Sequence, residues 1–288
     1  MRLSDFLTIS KPKIGIMVAV TAALGYFLAS GTFAPIDRFV VTLLGTFLTG
    51  AGASALNAYL EREVDQKMER TKHRASAQGT LSPTAIILYG TFATVAGSVL
   101  LASYVNLLTG FLALLTAFLY VLVYTPLKRI TWLNTSVGAI PGALPPLGGW
   151  AAATGTLELP AWILFAILFL WQHPHFYAIA WMYRDDYRRG GFQMLPVIDI
   201  DGRRTFRQVL FFSSLLIPVS LLPFTLGVVG SVYLYGALLS GGAFLAASVF
   251  FVVSQTTKEA RNLLFASLVY LPFLLLLVIA DSQFAFAG

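Results

Sequence analysis

Apolar runs recur nine times along this 288-residue chain, near residues 14 to 30, 37 to 58, 83 to 104, 107 to 124, 133 to 153, 159 to 183, 207 to 226, 229 to 253 and 262 to 280. Each is close to the ~20 residues a helix needs to cross a bilayer. A backbone in lipid must satisfy its own hydrogen bonds, so the runs are expected to be transmembrane helices. Only 11% of the residues are charged, far below the roughly 25% of a soluble domain. The expected class is therefore all-α: one polytopic membrane domain over residues 1 to 288, with no linker that would part it in two. The first run follows Lys11-Pro12-Lys13, and no small-residue cleavage site with a polar region behind it appears, so it is read as a retained span.

The basic residues are distributed asymmetrically. Arg2, Lys11 and Lys13 precede the first run; Arg62, Lys67, Arg70, Lys72 and Arg74 follow the second; Lys128 and Arg129 follow the fourth. Arg184, Arg188, Arg189, Arg203, Arg204 and Arg207 come after the sixth, Lys258 and Arg261 after the eighth, and only Arg38 falls on the opposite side. The positive-inside rule then puts the N-terminus in the cytoplasm and the C-terminus outside. For a bacterial chain the expected location is the inner, cytoplasmic membrane, with the chemistry facing the cytoplasm.

A net charge of +6 raises the question of nucleic acid. The bases are spread over short connections and mixed with carboxylates, so topology and anionic ligands account for the charge better, and no nucleic-acid partner is expected. The absence of cysteine excludes disulfides, thiolate nucleophiles and Cys-held zinc or haem.

Two long polar connections, residues 61 to 82 and 184 to 206, break the short-loop pattern four spans apart, which hints at a duplicated four-helix unit plus a ninth helix. The fifth run holds Pro141, Gly142, Pro145, Pro146, Gly148 and Gly149, which removes rungs from a helical ladder. Both close packing through small residues and irregular backbone beside a cavity suit that composition.

In the first loop Asn57, Glu61 and Asp65 are spaced i, i+4, i+8 and lie on one helical stripe, about 6 Å apart per step. Three oxygen donors in line suit Mg²⁺, which takes one or two carboxylates with substrate phosphates and water. Arg70, Lys72 and Arg74 follow closely enough to reach the same anion. Glu63, Lys67 and Glu69 read instead as solvated i, i+4 pairs. Asp185 and Asp186 repel each other unless a cation or Arg neutralises them, so they are either a second metal site facing the first or a surface network with Arg184, Arg188 and Arg189.

Further candidates lie in the spans. His175 is eleven residues before Asp186 and shares its face, about 16 Å deeper, while His173 points nearly opposite. An intramembrane His is functional or bonded to a neighbouring helix, and a neutral imidazole can ligate iron. Gln172 lies beside it. Tyr124 and Lys128 end the fourth run, where they suit either interfacial anchoring or catalysis, Lys128 on a phosphate and Tyr124 offering a ring face to a carbocation.

With these residues assembled, the chain resembles the UbiA superfamily of intramembrane prenyltransferases. The resemblance runs from about residue 8 to 275 and rests on Asn57, Glu61, Asp65, Arg70-Thr71 and Arg74. The strings Tyr124-Thr-Pro-Leu-Lys128, Trp171-Gln-His-Pro-His175-Phe, Tyr183-Arg-Asp185-Asp186-Tyr187 and Met194-Leu-Pro196-Val are similar to its haem-modifying branch.

The resemblance implies nine helices around a central cavity, farnesyl diphosphate as donor, haem b as acceptor and Mg²⁺ as cofactor. Asn57, Glu61, Asp65, Asp185 and Asp186 would be catalytic metal ligands, with Arg70, Lys72, Arg74 and Lys128 on the diphosphate. His175, Gln172 and Tyr124 would hold the acceptor. Besides the lipid bilayer, the expected partner is a downstream haem-modifying enzyme or the assembly of a haem-copper oxidase. Where the family usually has Asp, Pro and Pro, this chain has Glu61, Ala75 and Gln193. The alternatives are prenylation of an aromatic or quinone precursor on the same scaffold, and a transporter of an anionic substrate, the latter supported by the broken fifth run and the four-helix periodicity.

Overall fold

The structure, a computed structural model, describes residues 3–282, so Arg2, counted above with the bases before the first run, lies outside the described residues. A short helix, α1 (Leu3–Ser10), leads into α2 (Pro12–Ser30) and α3 (Ile36–Leu60). The first loop carries α4 (Arg62–Asp65) and α5 (Ala75–Gln78), followed by α6 (Pro83–Tyr104) and α7 (Leu107–Phe118). A π-helical turn, Leu119–Tyr124, extends α7 into α8 (Thr125–Leu127). Next come α9 (Asn134–Thr154) and α10 (Leu159–Met182), then α11 (Arg184–Arg189) and α12 (Leu195–Ile198) in the second loop. The chain continues through α13 (Arg203–Thr225), α14 (Ser231–Ser254) and α15 (Thr257–Ala280).

Helix starts follow local chemistry. Ser82, Asn106 and Thr256 each accept a hydrogen bond from the backbone N–H three residues on, satisfying a donor that has no helical acceptor. Pro83 adds a preset φ at the first turn of α6.

Among the described residues, eight helices are long and apolar enough to cross a membrane. The fifth expected span is present as α9, with 21 residues, but its Asn, Thr, Ser, Gly and Pro content leaves it outside those eight. No irregular backbone is assigned within it: α9 runs as one helix with Pro141, Pro145 and Pro146 inside. Its small residues serve packing. A Cβ on Gly25 would sit 2.0 Å from Pro146 O, and one on Gly149 would sit 1.8 Å from Ala22 O, so α2 and α9 touch backbone to backbone. This continuity removes the support that a broken helix lent to the transporter reading.

The helices form two groups. α2, α3, α6, α7 and α9 pack on one another, and α10, α13, α14 and α15 form the second set. The groups join where α9 lies along α10 and α2 meets α15. Each long loop follows a helix that opens a sequential set of four, α3 or α10, and the extra helix is α2 rather than the last one.

Candidate active site

The helical path does not stop with α3. Glu61 N–H donates to Asn57 O at 3.0 Å and Asp65 N–H to Glu61 O at 2.7 Å, so the i, i+4 stripe survives the joint with α4. All three residues are buried, Asn57 and Asp65 completely.

A polar stripe at the end of an apolar helix needs partners, and each member finds a base from elsewhere in the chain. Lys11 Nζ donates to Asn57 Oδ1 at 2.9 Å. Lys128 Nζ donates to Glu61 Oε1 at 2.7 Å. Arg74 Nη1 reaches both oxygens of Asp65, at 3.0 and 2.8 Å.

Burial and partners compete at each charge. At Glu61 burial works against ionisation, but Lys128, Lys11 and Arg74 outweigh it and hold the carboxyl below its usual range. Lys128 is the mirror image: burial opposes its charge, and Glu61 holds the ammonium above its usual range. At Asp65 burial prevails over Arg74, and the carboxyl is raised. Lys11 is pushed down to about 7, first by burial and then by Arg74.

In the sequence Lys11 marks topology only, and the fold gives it a second role at the stripe. It also holds a left-handed backbone, φ 49° and ψ 59°, directly before Pro12, a conformation that non-glycine residues keep mainly where surrounding structure enforces it. Its signal in the sequence is a Lys-Pro pair at the mouth of the first span, which says nothing about which face the ammonium meets.

Asn57 is clamped from its other side as well. Its Nδ2 donates to Thr125 Oγ1 at 3.0 Å, and that hydroxyl donates to Tyr120 O at 2.8 Å. The π turn that brings Tyr120 and Thr125 together precedes Pro126, which has no N–H and crowds the carbonyl one turn back. Tyr124 leaves the same turn with its ring 4.5 Å from Lys128 Nζ. It lies against Gly138, where a Cβ would come within 2.5 Å of the ring. Gln172 fills the space beside Gly142, its Nε2 donating to Ala139 O and Leu168 O at 3.2 and 3.0 Å. The structure thus uses Gln172 to bind α10 to α9.

The second acidic pair is divided in role. Asp186 is buried and accepts from the backbone N–H of Glu69 at 2.9 Å and of Arg70 at 3.0 Å, with Arg189 as a third donor. Burial opposes its charge, yet those two amides and Arg189 hold its carboxyl below the usual range. Asp185 is exposed and pairs with Arg188 at 2.7 Å.

Arg70 donates to Tyr187 Oη at 2.9 Å and stacks over Tyr183 and Tyr187. Lys72 pairs with Glu69 at 2.5 Å on the surface. The four expected phosphate donors therefore separate, Arg74 and Lys128 on the buried stripe and Arg70 and Lys72 in the loop region. An open groove at this junction is lined by Glu69, Arg70, Met182, Tyr183, Asp185, Asp186 and Arg189. Among the described residues no three of His, Cys, Asp and Glu gather into a metal-binding group, because the acids here alternate with bases.

The two histidines diverge as expected. His173 is fully buried, its Nε2 3.0 Å from Ser136 Oγ on α9 and its ring stacked 3.6 Å from Phe212 on α13. His175 turns to α15, its Nδ1 2.7 Å from Ser267 Oγ.

Comparison with known proteins adds two kinds of likeness. Residues 18–271 match the model of the UbiA prenyltransferase family. The chain is 46% identical over 286 residues to the protoheme IX farnesyltransferase of Solibacter usitatus, covering 96% of this chain and 98% of that protein. It is 43% identical over 277 residues to the protein of that name from Salinibacter ruber, again covering 96% and 98%.

Among solved structures, that of digeranylgeranylglyceryl phosphate synthase in membranes aligns with a TM-score of 0.82 at 18% identity, covering 97% of this chain and 98% of that one. A UbiA homologue from Archaeoglobus fulgidus bound to GPP and Mg²⁺ aligns at 0.68 and 14% identity, covering 96% and 99%. At such identities the structures speak for the fold alone.

Proposed function

The chain belongs to the UbiA prenyltransferase family, and from that premise we propose that it transfers the farnesyl group of farnesyl diphosphate to a vinyl substituent of haem b. The observation that carries the donor half is the buried stripe of Asn57, Glu61 and Asp65 ringed by Lys11, Lys128 and Arg74. Lys128 and Arg74 match the two carboxylates, and Lys11, held at about 7 by burial and Arg74, takes up its full charge as a diphosphate binds, away from water where that charge counts most. The acceptor half rests on the near full-length similarity to relatives that bear the name protoheme IX farnesyltransferase. By the positive-inside rule this charged end faces the cytoplasm.

The donor set also fits a magnesium ion. Asn57, Glu61 and Asp65 offer hard oxygens in line, and Asp186 would add a hold at the rim by sharing oxygens that already accept from Glu69 and Arg70, whereas Asp185, exposed and paired with Arg188, stands outside this set. Bound there, Mg²⁺ would neutralise charge on the leaving diphosphate.

The chain's own groups do the rest. Lys128, Arg74 and Lys11 donate to phosphate oxygens as the allylic C–O bond breaks and its electron pair leaves with the diphosphate. Tyr124 presents a ring face near the electron-poor allylic carbon. The vinyl π pair forms the new C–C bond, water adds to the resulting cation, and a proton is lost, giving a hydroxyethylfarnesyl side chain.

Purified protein in lipid, given farnesyl diphosphate, Mg²⁺ and haem b, should release diphosphate in step with a prenyl mass gain on the haem. Diphosphate release only with an aromatic or quinone precursor would reject haem as acceptor, and no release with either would reject the transferase reading for this chain.

A further inference from the structure

Two histidines sit two residues apart on α10, and they differ in what their ring nitrogens leave free. Ser267 Oγ has a single hydrogen, which it directs to Leu264 O at 2.5 Å. The 2.7 Å contact between Ser267 Oγ and His175 Nδ1 must then run the other way, with Nδ1–H donating to the hydroxyl. This assigns the tautomer from the network: the neutral ring carries its proton on Nδ1 and its lone pair on Nε2. Among the described residues that nitrogen has no hydrogen-bond partner, and it is not one of the buried polar atoms that lack one. It is therefore open to a ligand. His173 offers nothing comparable, since Phe169 O and Ser136 Oγ take both of its nitrogens.

The ring is also held still. Trp171 stacks on it with centroids 4.9 Å apart, and the Trp171 indole N–H donates to Ser267 O at 2.9 Å. One residue of α15 thus fixes two rings on consecutive turns of α10. Metal-ligating histidines are oriented in this manner, by an acceptor on the nitrogen that does not bind the metal.

Position agrees with chemistry. Trp171, His175, Ile179 and Met182 form a half-buried stripe along α10. Met182 is a wall of the open groove that also contains Asp186. Seven residues separate His175 from Met182, so the two share a face and lie about 10 Å apart along the axis.

We propose that His175 Nε2 is the axial ligand of the acceptor's iron. The inference rests on haem being the acceptor. A dative bond from the Nε2 lone pair to iron oxidises and reduces nothing, and it fixes the centre of a flat macrocycle whose vinyl groups lie at the rim. His175 is in this sense a positioning residue, and Trp171 and Ser267 set its aim.

The test uses full-length protein in lipid nanodiscs, titrated with haem b and in parallel with metal-free protoporphyrin IX, followed by absorbance and electron paramagnetic resonance. Wild type should give the spectrum of histidine-ligated iron. His175→Ala should lose that spectrum and bind haem about tenfold weaker or worse, with its affinity for protoporphyrin IX unchanged. His175→Gly with added imidazole should recover the spectrum, which separates a lost ligand from a misfolded chain. Identical haem spectra in wild type and His175→Ala would overturn the ligation while leaving haem as acceptor. So would equal loss of haem and protoporphyrin binding with no recovery by imidazole. Failure of wild type to bind haem at all would overturn both.

Discussion

The two acidic stretches look alike in sequence and differ in almost everything the fold does with them. Asn57, Glu61 and Asp65 are buried on one stripe, and each meets a base from 9 to 67 positions away in the chain. Asp185 stays exposed beside a base three residues on, and Asp186 ties down the backbone of the first loop. A carboxylate's role thus depends less on its neighbours in sequence than on whether burial forces it to find a distant partner. An exposed i, i+3 pair contributes little, whereas a buried charge must be matched or it costs several kcal/mol.

The largest effect should therefore fall on the stripe. Asp65→Asn keeps the shape and removes the charge, and turnover should drop by about 10²-fold or more, while Asp185→Asn should change it by no more than a few-fold. Comparable losses in the two would erase the distinction. Asparagine is the cleaner probe here, because Asp65 is fully buried and alanine would also leave Arg74 without its partner.

Asp186 should lie between them, and through stability more than through chemistry. Asp186→Ala leaves the amides of Glu69 and Arg70 without an acceptor, at a cost of about 1–3 kcal/mol, readable as a lower Tm in detergent. Its carboxyl is held below the usual range, so its stabilisation is complete above the unfolded value of about 3.9 and fades as pH falls through the lower folded value. Wild type should then lose Tm more steeply than Asp186→Asn on acidification below about pH 4. Parallel curves would mean that Asp186 does not clamp the loop.

The smallest expected change sharpens the comparison from the loop side. Ala75 is the first residue of α5, where its N–H has no helical acceptor, and Arg74 before it is already extended at φ −65° and ψ 143°. Proline fits both conditions. Ala75→Pro should stabilise the protein by about 0.4–1 kcal/mol through the unfolded chain, a gain in Tm with turnover intact. A loss of Tm would show that the loop needs the freedom alanine gives it.

Much of this was legible before the structure. Eight of the spans follow from apolar length alone, and the stripe follows from i, i+4 spacing, because both are local properties of a helix. The divergence of His173 and His175 was legible for the same reason. Lys11, Thr125 and the π turn were not, since each matters through a contact 46 or more positions away. Nor did composition reveal that α9 stays helical through three prolines, which depends on how closely α2 and α10 press against it. Gln172 reads as a site residue in sequence through its place in the Trp171–His175 string, whereas the donation of its Nε2 to α9 and α10 backbone shows only in the fold.

The most direct test of the account is binding rather than turnover. A non-hydrolysable analogue of farnesyl diphosphate, titrated calorimetrically into wild type, Asp65→Asn and Asp185→Asn with and without Mg²⁺, reports where the diphosphate is held. Binding should depend on Mg²⁺, disappear in Asp65→Asn and be nearly preserved in Asp185→Asn. Binding that survives in Asp65→Asn and disappears in Asp185→Asn would contradict this placement of the diphosphate.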